Sequence, residues 1–238
     1  MRIFILCLVV CFFCARIPVT ALAQEIPANA RLYLPILLQE IDTHWPDVSL
    51  RSVLGAQVEQ ETCASLTSRR CWNPRTELKT SREYGFGLGQ ITVTKRFDTF
   101  SEVKRLDPTL KAWKWADRYD PVRQLRALVL KNRYNVERFP LAATPLDSLR
   151  FGIAAYNGGL GGMIKDINLC RSTPGCDPGR WEGHVEKTSL KSRKKWKGYG
   201  QSAYEINRGY VRNIFGPRRE KYIVPMDTPL SHEAQKTP

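Results

Sequence analysis

The sequence predicts a single, mainly α-helical domain. Its 238 residues are 42% hydrophobic and 25% charged, which is enough chain and enough apolar surface for one sizeable core. Apolar residues recur at helical spacing in several segments, whereas strand-like alternation is weak and only short pieces such as 89–94, "GQITVT", favour an extended form. No internal repeat is visible, so we expect one folding unit rather than an array.

The first 23 residues predict a cleaved secretory signal. A short positive start precedes the apolar run 3–15, and small residues at 21–23 end the stretch, which is the order of regions in a signal peptide. The run is short for a bilayer-spanning anchor, and no second run is long enough to span. We therefore expect export to the periplasm, a folded domain over 24–224, and a loosely ordered, proline-containing polar tail over 225–238.

Helix start signals place the main helices of the mature chain. Asp120 before Pro121 and Thr144 before Pro145 are typical N-caps followed by a first-turn proline. Ser49 is expected to cap another helix. The predicted helices are 35–44, 50–62, 122–139, 145–157 and about 203–215, and the segments predicted to be irregular are 67–84 and 170–200.

Four cysteines remain once residues 1–23 are removed, and an even number in an exported chain indicates disulfides. Three connectivities are possible. The simplest has two short-range pairs, Cys63 with Cys71 and Cys170 with Cys176. A four-cysteine zinc site is the alternative, but the spacings lack the close Cys-x-x-Cys pairs that zinc sites have. We expect no metal and no cofactor.

The chain is strongly basic. It has 37 basic and 23 acidic residues, and removing Arg2 and Arg16 with the signal leaves a net charge near +12. This surplus favours an anionic partner. Nucleic acid, anionic lipid and the acidic cell-wall polymer all qualify, but an exported protein is not expected to bind nucleic acid. The basic segment 187–198 is expected either to contact such a partner or to be a solvated loop.

Three separated motifs carry the candidate chemistry. They are "VEQETC" at 58–63, which ends an apolar helix, "GFGLGQIT" at 85–92, and "AAYNGG" at 154–159; a late Tyr210-Val211 pair follows. Each motif alone is weak. A carboxyl group in a partly apolar cleft, however, has a raised pKa and can hold a proton near neutral pH, as the cleavage of a glycosidic bond requires.

In this order and spacing, the motifs resemble the catalytic domain of the soluble lytic transglycosylases, which has the lysozyme-like fold. The resemblance covers roughly 50–215. It implies that Glu61 acts first as an acid and then as a base, taking the 6-hydroxyl proton of N-acetylmuramic acid so that a 1,6-anhydro sugar forms. The substrate's own N-acetyl group would steady the positive centre, so no second protein carboxylate is required.

The resemblance also implies roles for the residues around Glu61. Tyr210 is expected to hydrogen-bond Glu61, and Thr62 to position it through a hydroxyl. Asn157 is expected to hold a sugar amide or hydroxyl, with a helix C-cap as the alternative. The positions expected to bind substrate or to support its binding are Thr62, Gly87, Gln90, Tyr156, Asn157 and Tyr210, with Tyr156 packing beneath the site.

The sequence departs from the family pattern at four places. Thr62 replaces a serine but keeps the hydroxyl, and Gly89 replaces a methionine, which alters the turn that faces the substrate. Ile206 stands where the family often has a glutamate. The long basic insert at 170–200 is extra.

Several alternatives remain open. Goose-type lysozymes resemble the segment at 85–92, so Glu83 could activate water and make the protein a hydrolysing muramidase. A wall-binding module without catalysis, serving a secretion or conjugation machine, is a hypothesis from another class. A basic nucleic-acid binder is a further one, and its affinity would fall steeply with salt.

Overall fold

The computed structural model describes residues 25–80, 84–95, 97–197 and 200–228. The predicted signal at 1–23, Glu83 and most of the predicted tail lie outside the described residues. The mainly α, lysozyme-like fold is confirmed, because helices dominate and a small sheet accompanies them. The helices are α1 Ala30–His44, α2 Ser52–Thr62, α3 Thr99–Val103, α4 Pro108–Lys111, α5 Pro121–Val136, α6 Pro145–Gly158, α7 Leu160–Arg171, α8 Ala203–Asn213 and α9 Glu220–Asp227.

Helix α2 lies at the centre of the core. Val53, Leu54 and Val58 are fully buried, and each such side chain contributes about 1.5–3 kcal/mol by leaving water. Helix α9 packs directly on α2, where a Cβ added at Gly55 would lie 2.7 Å from the sulfur of Met226. Helix α5 packs between α1 and α6. Helix α2, whose last turn carries Glu61, is therefore held against the C-terminal helix α9.

The sheet is small and antiparallel, in the order β1 Glu77–Lys79, β2 Tyr84–Phe86 and β3 Ile91–Thr92. Gly85 pairs with Thr92 and Glu77 with Phe86. A second core lies against it, in which the ring of Phe86 makes edge contacts with neighbouring aromatic rings. This packing fixes the turn between β2 and β3, which belongs to the "GFGLGQIT" motif.

Most predicted helix boundaries hold to within a few residues. Thr144 caps α6 by accepting the amide of Asp147 at 3.1 Å, and Asp120 caps α5. Both predicted disulfides, Cys63–Cys71 and Cys170–Cys176, are present.

Two predicted helix starts were wrong. Ser49 does not cap α2, because that helix begins only at Ser52, after Arg51. Helix α1 begins five residues earlier than predicted, at Ala30, and runs through Pro35. Helix α9 runs to Asp227, whose carboxylate accepts the backbone amide of Ser52 at 2.8 Å.

Helix α7 was not predicted. Gly158-Gly159 correctly marks the end of α6, but Gly159, with φ of +79°, forms a tight turn into α7 rather than the start of a long loop. Within the described part of the chain, no helix combines the length and apolar character needed to cross a bilayer.

Candidate active site

Glu61 lies on the last turn of α2 and is half-buried. The hydroxyl of Tyr210, on α8, donates a hydrogen bond to Oε1 of Glu61. Burial raises the pKa of Glu61 to about 7, and the Tyr210 hydrogen bond opposes part of that rise. The carboxyl group therefore exchanges its proton near neutral pH, in the range useful for general acid and base chemistry.

A buried amide network holds Tyr210 from behind. The side-chain nitrogen of Gln57 donates to the Tyr210 hydroxyl at 3.0 Å, and the side-chain nitrogen of Asn132 donates to the oxygen of Gln57 at 2.7 Å. Gln57 and Asn132 are fully buried. Sequence reasoning missed both. Gln57 precedes Glu61 by four residues and so shares its helix face, a signal that was available, whereas nothing in the sequence links Asn132 on α5 to the site.

Thr62 does not hydrogen-bond the Glu61 carboxyl, contrary to the sequence-based expectation. Its hydroxyl donates to the carbonyl oxygen of Val58 at 2.6 Å and accepts the amide of Trp72 at 2.9 Å. The side chain is buried. It closes the end of α2 and fastens the Cys63–Cys71 loop to it, which explains why a hydroxyl is needed at this position.

The turn between β2 and β3 has two residues with positive φ, Gly87 at +77° and Gln90 at +43°. A Cβ at Gly87 would lie 2.4 Å from the side-chain carbon of Gln124, so glycine is required by both conformation and space. The side-chain nitrogen Nε2 of Gln90 donates to the carbonyl oxygens of Gly87 and Thr76, at 2.9 and 3.2 Å. This amide closes the turn, so Gln90 shapes the site through the backbone it holds.

Tyr156, near the end of α6, connects this turn to Glu61. Its hydroxyl donates to the carbonyl oxygen of Gly89 at 2.7 Å. Burial and the negative charge of Glu61 raise the pKa of Tyr156 well above its usual value, which places the phenol in the electrostatic neighbourhood of the carboxyl group. The structure thus brings Glu61, Tyr210, Tyr156 and the turn together.

Asn157 is exposed at the end of α6. Its side-chain oxygen accepts a hydrogen bond from the side-chain nitrogen of Asn207 at 3.0 Å. Asn207 and Tyr210 are three residues apart on α8, about 4.5 Å along the helix axis, so one helix contacts both Asn157 and Glu61. The sequence alone assigns no role to Asn207.

A second carboxylate of α2, Glu59, is fully buried beside the site. Arg218 and Lys221 bind its Oε1 at 2.7 and 2.5 Å, and the hydroxyl of Tyr222 donates to its Oε2 at 2.8 Å. These contacts fasten the C-terminal segment to the helix that carries Glu61. Elsewhere in the described residues, no group of His, Cys, Asp and Glu side chains is arranged as metal ligands would be.

Two open concavities are lined largely by residues of β1, β2 and the segment 115–123. They have volumes of about 490 and 370 Å³ and share Tyr119 as a lining residue. Trp115, which is 42% exposed, lines the smaller one. Neither is lined by a residue predicted to bind substrate, so the candidate chemistry stays with Glu61.

The chain is similar to lytic murein transglycosylases. It is 31% identical over 182 residues to the membrane-bound lytic murein transglycosylase F of Vibrio cholerae, a match that spans 74% of this chain and 31% of that protein.

The chain is 33% identical to the protein of the same name from Vibrio campbellii and 31% identical to the one from Vibrio parahaemolyticus. Each match covers 112 residues, or 45% of this chain. The chain spans less than a third of the length of these relatives. No family model matches the chain.

Proposed function

We propose that this protein is a peptidoglycan lytic transglycosylase that cleaves the bond between N-acetylmuramic acid and N-acetylglucosamine. The observation that carries the proposal is the Glu61 carboxyl group, half-buried, hydrogen-bonded by Tyr210, and with a pKa raised to about 7. Such a group can be protonated when it meets the substrate and ionised after it has delivered its proton. The similarity to lytic murein transglycosylases supports the same chemistry.

The reaction needs two proton transfers, one from Glu61 to the leaving sugar and one from the 6-hydroxyl back to Glu61. Protonated Glu61 gives its proton to the glycosidic oxygen, the bond to C1 of N-acetylmuramic acid breaks, and N-acetylglucosamine leaves with a free hydroxyl. The substrate's N-acetyl oxygen steadies the positive C1 centre. The Glu61 carboxylate then takes the proton of the 6-hydroxyl, whose oxygen bonds to C1. The 1,6-anhydro ring is closed, Glu61 is protonated again, and no water is consumed.

The surrounding residues would support this step in different ways. Tyr210 would orient the carboxyl group. Asn157 would contact the sugar, and the turn at Gly87 and Gln90 would border the bound strand. Tyr156 would hold that turn and exclude water, and Thr62 would fix the end of α2. Trp72, whose backbone amide donates to the Thr62 hydroxyl, would help to fix the same end of α2.

The sugar ends released from peptidoglycan test the proposal. Purified protein is incubated with isolated peptidoglycan, and the products are separated and weighed by mass spectrometry. We expect 1,6-anhydro ends. Reducing ends would instead indicate a hydrolysing muramidase, and binding without release would indicate a wall-binding module.

The matched pair of variants is Glu61→Gln and Glu137→Gln. Glu137 pairs with Arg133 on the exposed surface of α5, so its replacement should leave turnover unchanged. Glu61→Gln should lower turnover by several orders of magnitude, because the amide can neither deliver nor take a proton.

Location and partners are proposed on the same basis. A wall substrate fits the export predicted from 1–23, and N-terminal sequencing of the secreted protein would test cleavage after residue 23. The relatives' names give no support to a secretion or conjugation partner, so that remains a hypothesis from the sequence.

A further inference from the structure

Asn157 carries an amide that could face a ligand with either its oxygen or its nitrogen. The oxygen accepts hydrogen bonds and the nitrogen donates them, and the two are interchanged by a simple flip of the side chain. The chemistry that Asn157 can recognise therefore depends on what fixes its orientation. The side chain that fixes this orientation is Asn207, which contacts Asn157 in space.

Two hydrogen bonds fix the orientation of the Asn207 side chain. Its oxygen accepts from a guanidinium nitrogen of Arg208 at 2.6 Å, and its nitrogen donates to the carbonyl oxygen of Ala154 at 2.9 Å. Arginine can only donate and a carbonyl can only accept. A flipped Asn207 would place donor against donor and acceptor against acceptor, and it is fully buried, so water could not relieve the conflict.

Arg208 is itself buried and held by several hydrogen bonds. It is 5% exposed, and its other nitrogens donate to the carboxylate of Asp166 at 2.9 Å and to the carbonyl oxygens of Glu186 and Thr188 at 2.9 and 2.8 Å. Asp166, also buried, binds Lys191 of the basic insert at 2.7 Å. The insert thus locks Arg208 in place, which gives this extra segment a structural task beside the site.

The glycine after Asn157 allows α8 to come this close. A Cβ at Gly158 would lie 2.7 Å from the side-chain nitrogen of Asn207 and 2.8 Å from a carbon of Lys191. The "AAYNGG" motif therefore packs directly on both the late helix and the basic insert. A movement of α8 or of the basic insert would therefore displace Asn157.

We infer that Asn207 is a positioning residue that turns Asn157 into a hydrogen-bond donor for the carbonyl oxygen of an N-acetyl group. The nitrogen of Asn207 donates to the oxygen of Asn157 at 3.0 Å, which directs that oxygen toward α8. The exposed nitrogen of Asn157 is left for a ligand acceptor. An acetamido carbonyl accepts strongly, and each sugar of the proposed substrate carries one; in this respect the inference rests on the proposed function.

Binding, rather than turnover, tests the inference. The probe is the tetrasaccharide of N-acetylglucosamine, titrated calorimetrically into wild type, Asn157→Ala, Asn207→Leu and the double variant. Asn207→Leu should weaken binding roughly three- to ten-fold, as expected for one lost hydrogen bond. In the Asn157→Ala background it should have no further effect, because the two residues act as one unit. The de-N-acetylated tetrasaccharide lacks the carbonyl, so wild type and Asn207→Leu should bind it equally.

A second variant covers the case in which Asn207→Leu fails to fold. Asn207→Asp preserves the size and can accept from Arg208, but its carboxylate cannot donate to Asn157, so we expect the same loss of affinity. Equal binding by wild type and either variant, or effects that simply add in the double variant, would overturn the inference alone. A wild type that does not bind the acetylated probe would overturn both the inference and the proposed function.

Discussion

The hydroxyl of Tyr156 donates a 2.7 Å hydrogen bond to the carbonyl oxygen of Gly89, and it stands where a side chain at residue 89 would have to go. A Cβ on Gly89 would lie 2.8 Å from that hydroxyl oxygen and 3.4 Å from the Cβ of Leu128. A larger side chain at position 89 therefore requires the Tyr156 hydroxyl to shift. The position of the Tyr156 hydroxyl thus depends on the absence of a side chain at residue 89.

Gly89→Ala should push the Tyr156 hydroxyl away, loosen the turn and lower wall-cleaving activity. Overpacking of this kind costs about 1–3 kcal/mol of stability, measurable by urea unfolding. Adding Tyr156→Phe removes the obstructing oxygen, so the double variant should regain stability relative to Gly89→Ala. An alanine variant as stable and active as wild type would show that the turn has room to spare.

The pH dependence of cleavage should report the Tyr210–Glu61 hydrogen bond. With a Glu61 pKa of about 7, the protonated acid disappears as pH rises through that value, so the initial rate should fall there. The Tyr210 hydrogen bond lowers this pKa. In Tyr210→Phe the descending limb should therefore move to higher pH, with a lower maximum rate, when turbidity clearance is followed from pH 5 to 9.

The matched control for Tyr210→Phe is Tyr204→Phe on the same helix, whose hydroxyl donates to the carbonyl oxygen of Glu186 at 3.2 Å. It should leave the limb in place. A shift of the Tyr210→Phe limb to lower pH would contradict the assignment of the hydrogen bond.

Glu61 should make the folded protein less stable as pH rises. Its folded pKa of about 7 exceeds the ordinary 4.5, so between these values the native state binds more protons than the unfolded chain, and stability falls with increasing pH. The full effect is an upper limit of about 3 kcal/mol. Glu61→Gln has no such group. It should match wild type near pH 4 and exceed it above pH 7 in denaturant unfolding, while Glu137→Gln should follow wild type throughout.

Loss of the Cys63–Cys71 disulfide should reduce both stability and turnover. The bridge closes a loop of sequence separation 8, for which loop entropy gives about 2–3 kcal/mol. Cys63→Ser with Cys71→Ser would also free the loop that Thr62 fastens to the end of α2. The matched control replaces Cys170 and Cys176, separation 6, and should lose similar stability at nearly unchanged turnover. Equal losses of turnover in the two double variants would show that the Cys63–Cys71 loop has no specific effect on the active site.

The sequence predicts the parts of this protein that are specified locally. Proline at the first turn with an aspartate or threonine before it was sufficient to place the starts of α5 and α6, and paired glycines marked the end of α6. The disulfides were predictable because both are short-range. Helix α7 was missed because Gly161 and Gly162 disfavour a helix, and packing on α6 overrides that preference.

The contacts within the site were less predictable. Glu61 and Tyr210 came from a motif, but the partners that orient them are chosen by the fold. Gln57 meets Tyr210 across 153 residues, and Asn207 meets Asn157 across 50. No local pattern encodes such pairings, since each depends on how α8 packs against α2 and α6.

The contacts of Glu59 with Arg218, Lys221 and Tyr222 mean that the recognisable motifs and the smallest foldable unit do not coincide. Every motif ends by Val211, yet a chain cut there would leave a carboxylate in the core with neither of its cations. Removing one partner of a buried ion pair costs about 3–5 kcal/mol, a large share of a domain's stability. Versions truncated after the last motif are therefore expected to lose their folding stability. A tag or fusion belongs beyond Asp227.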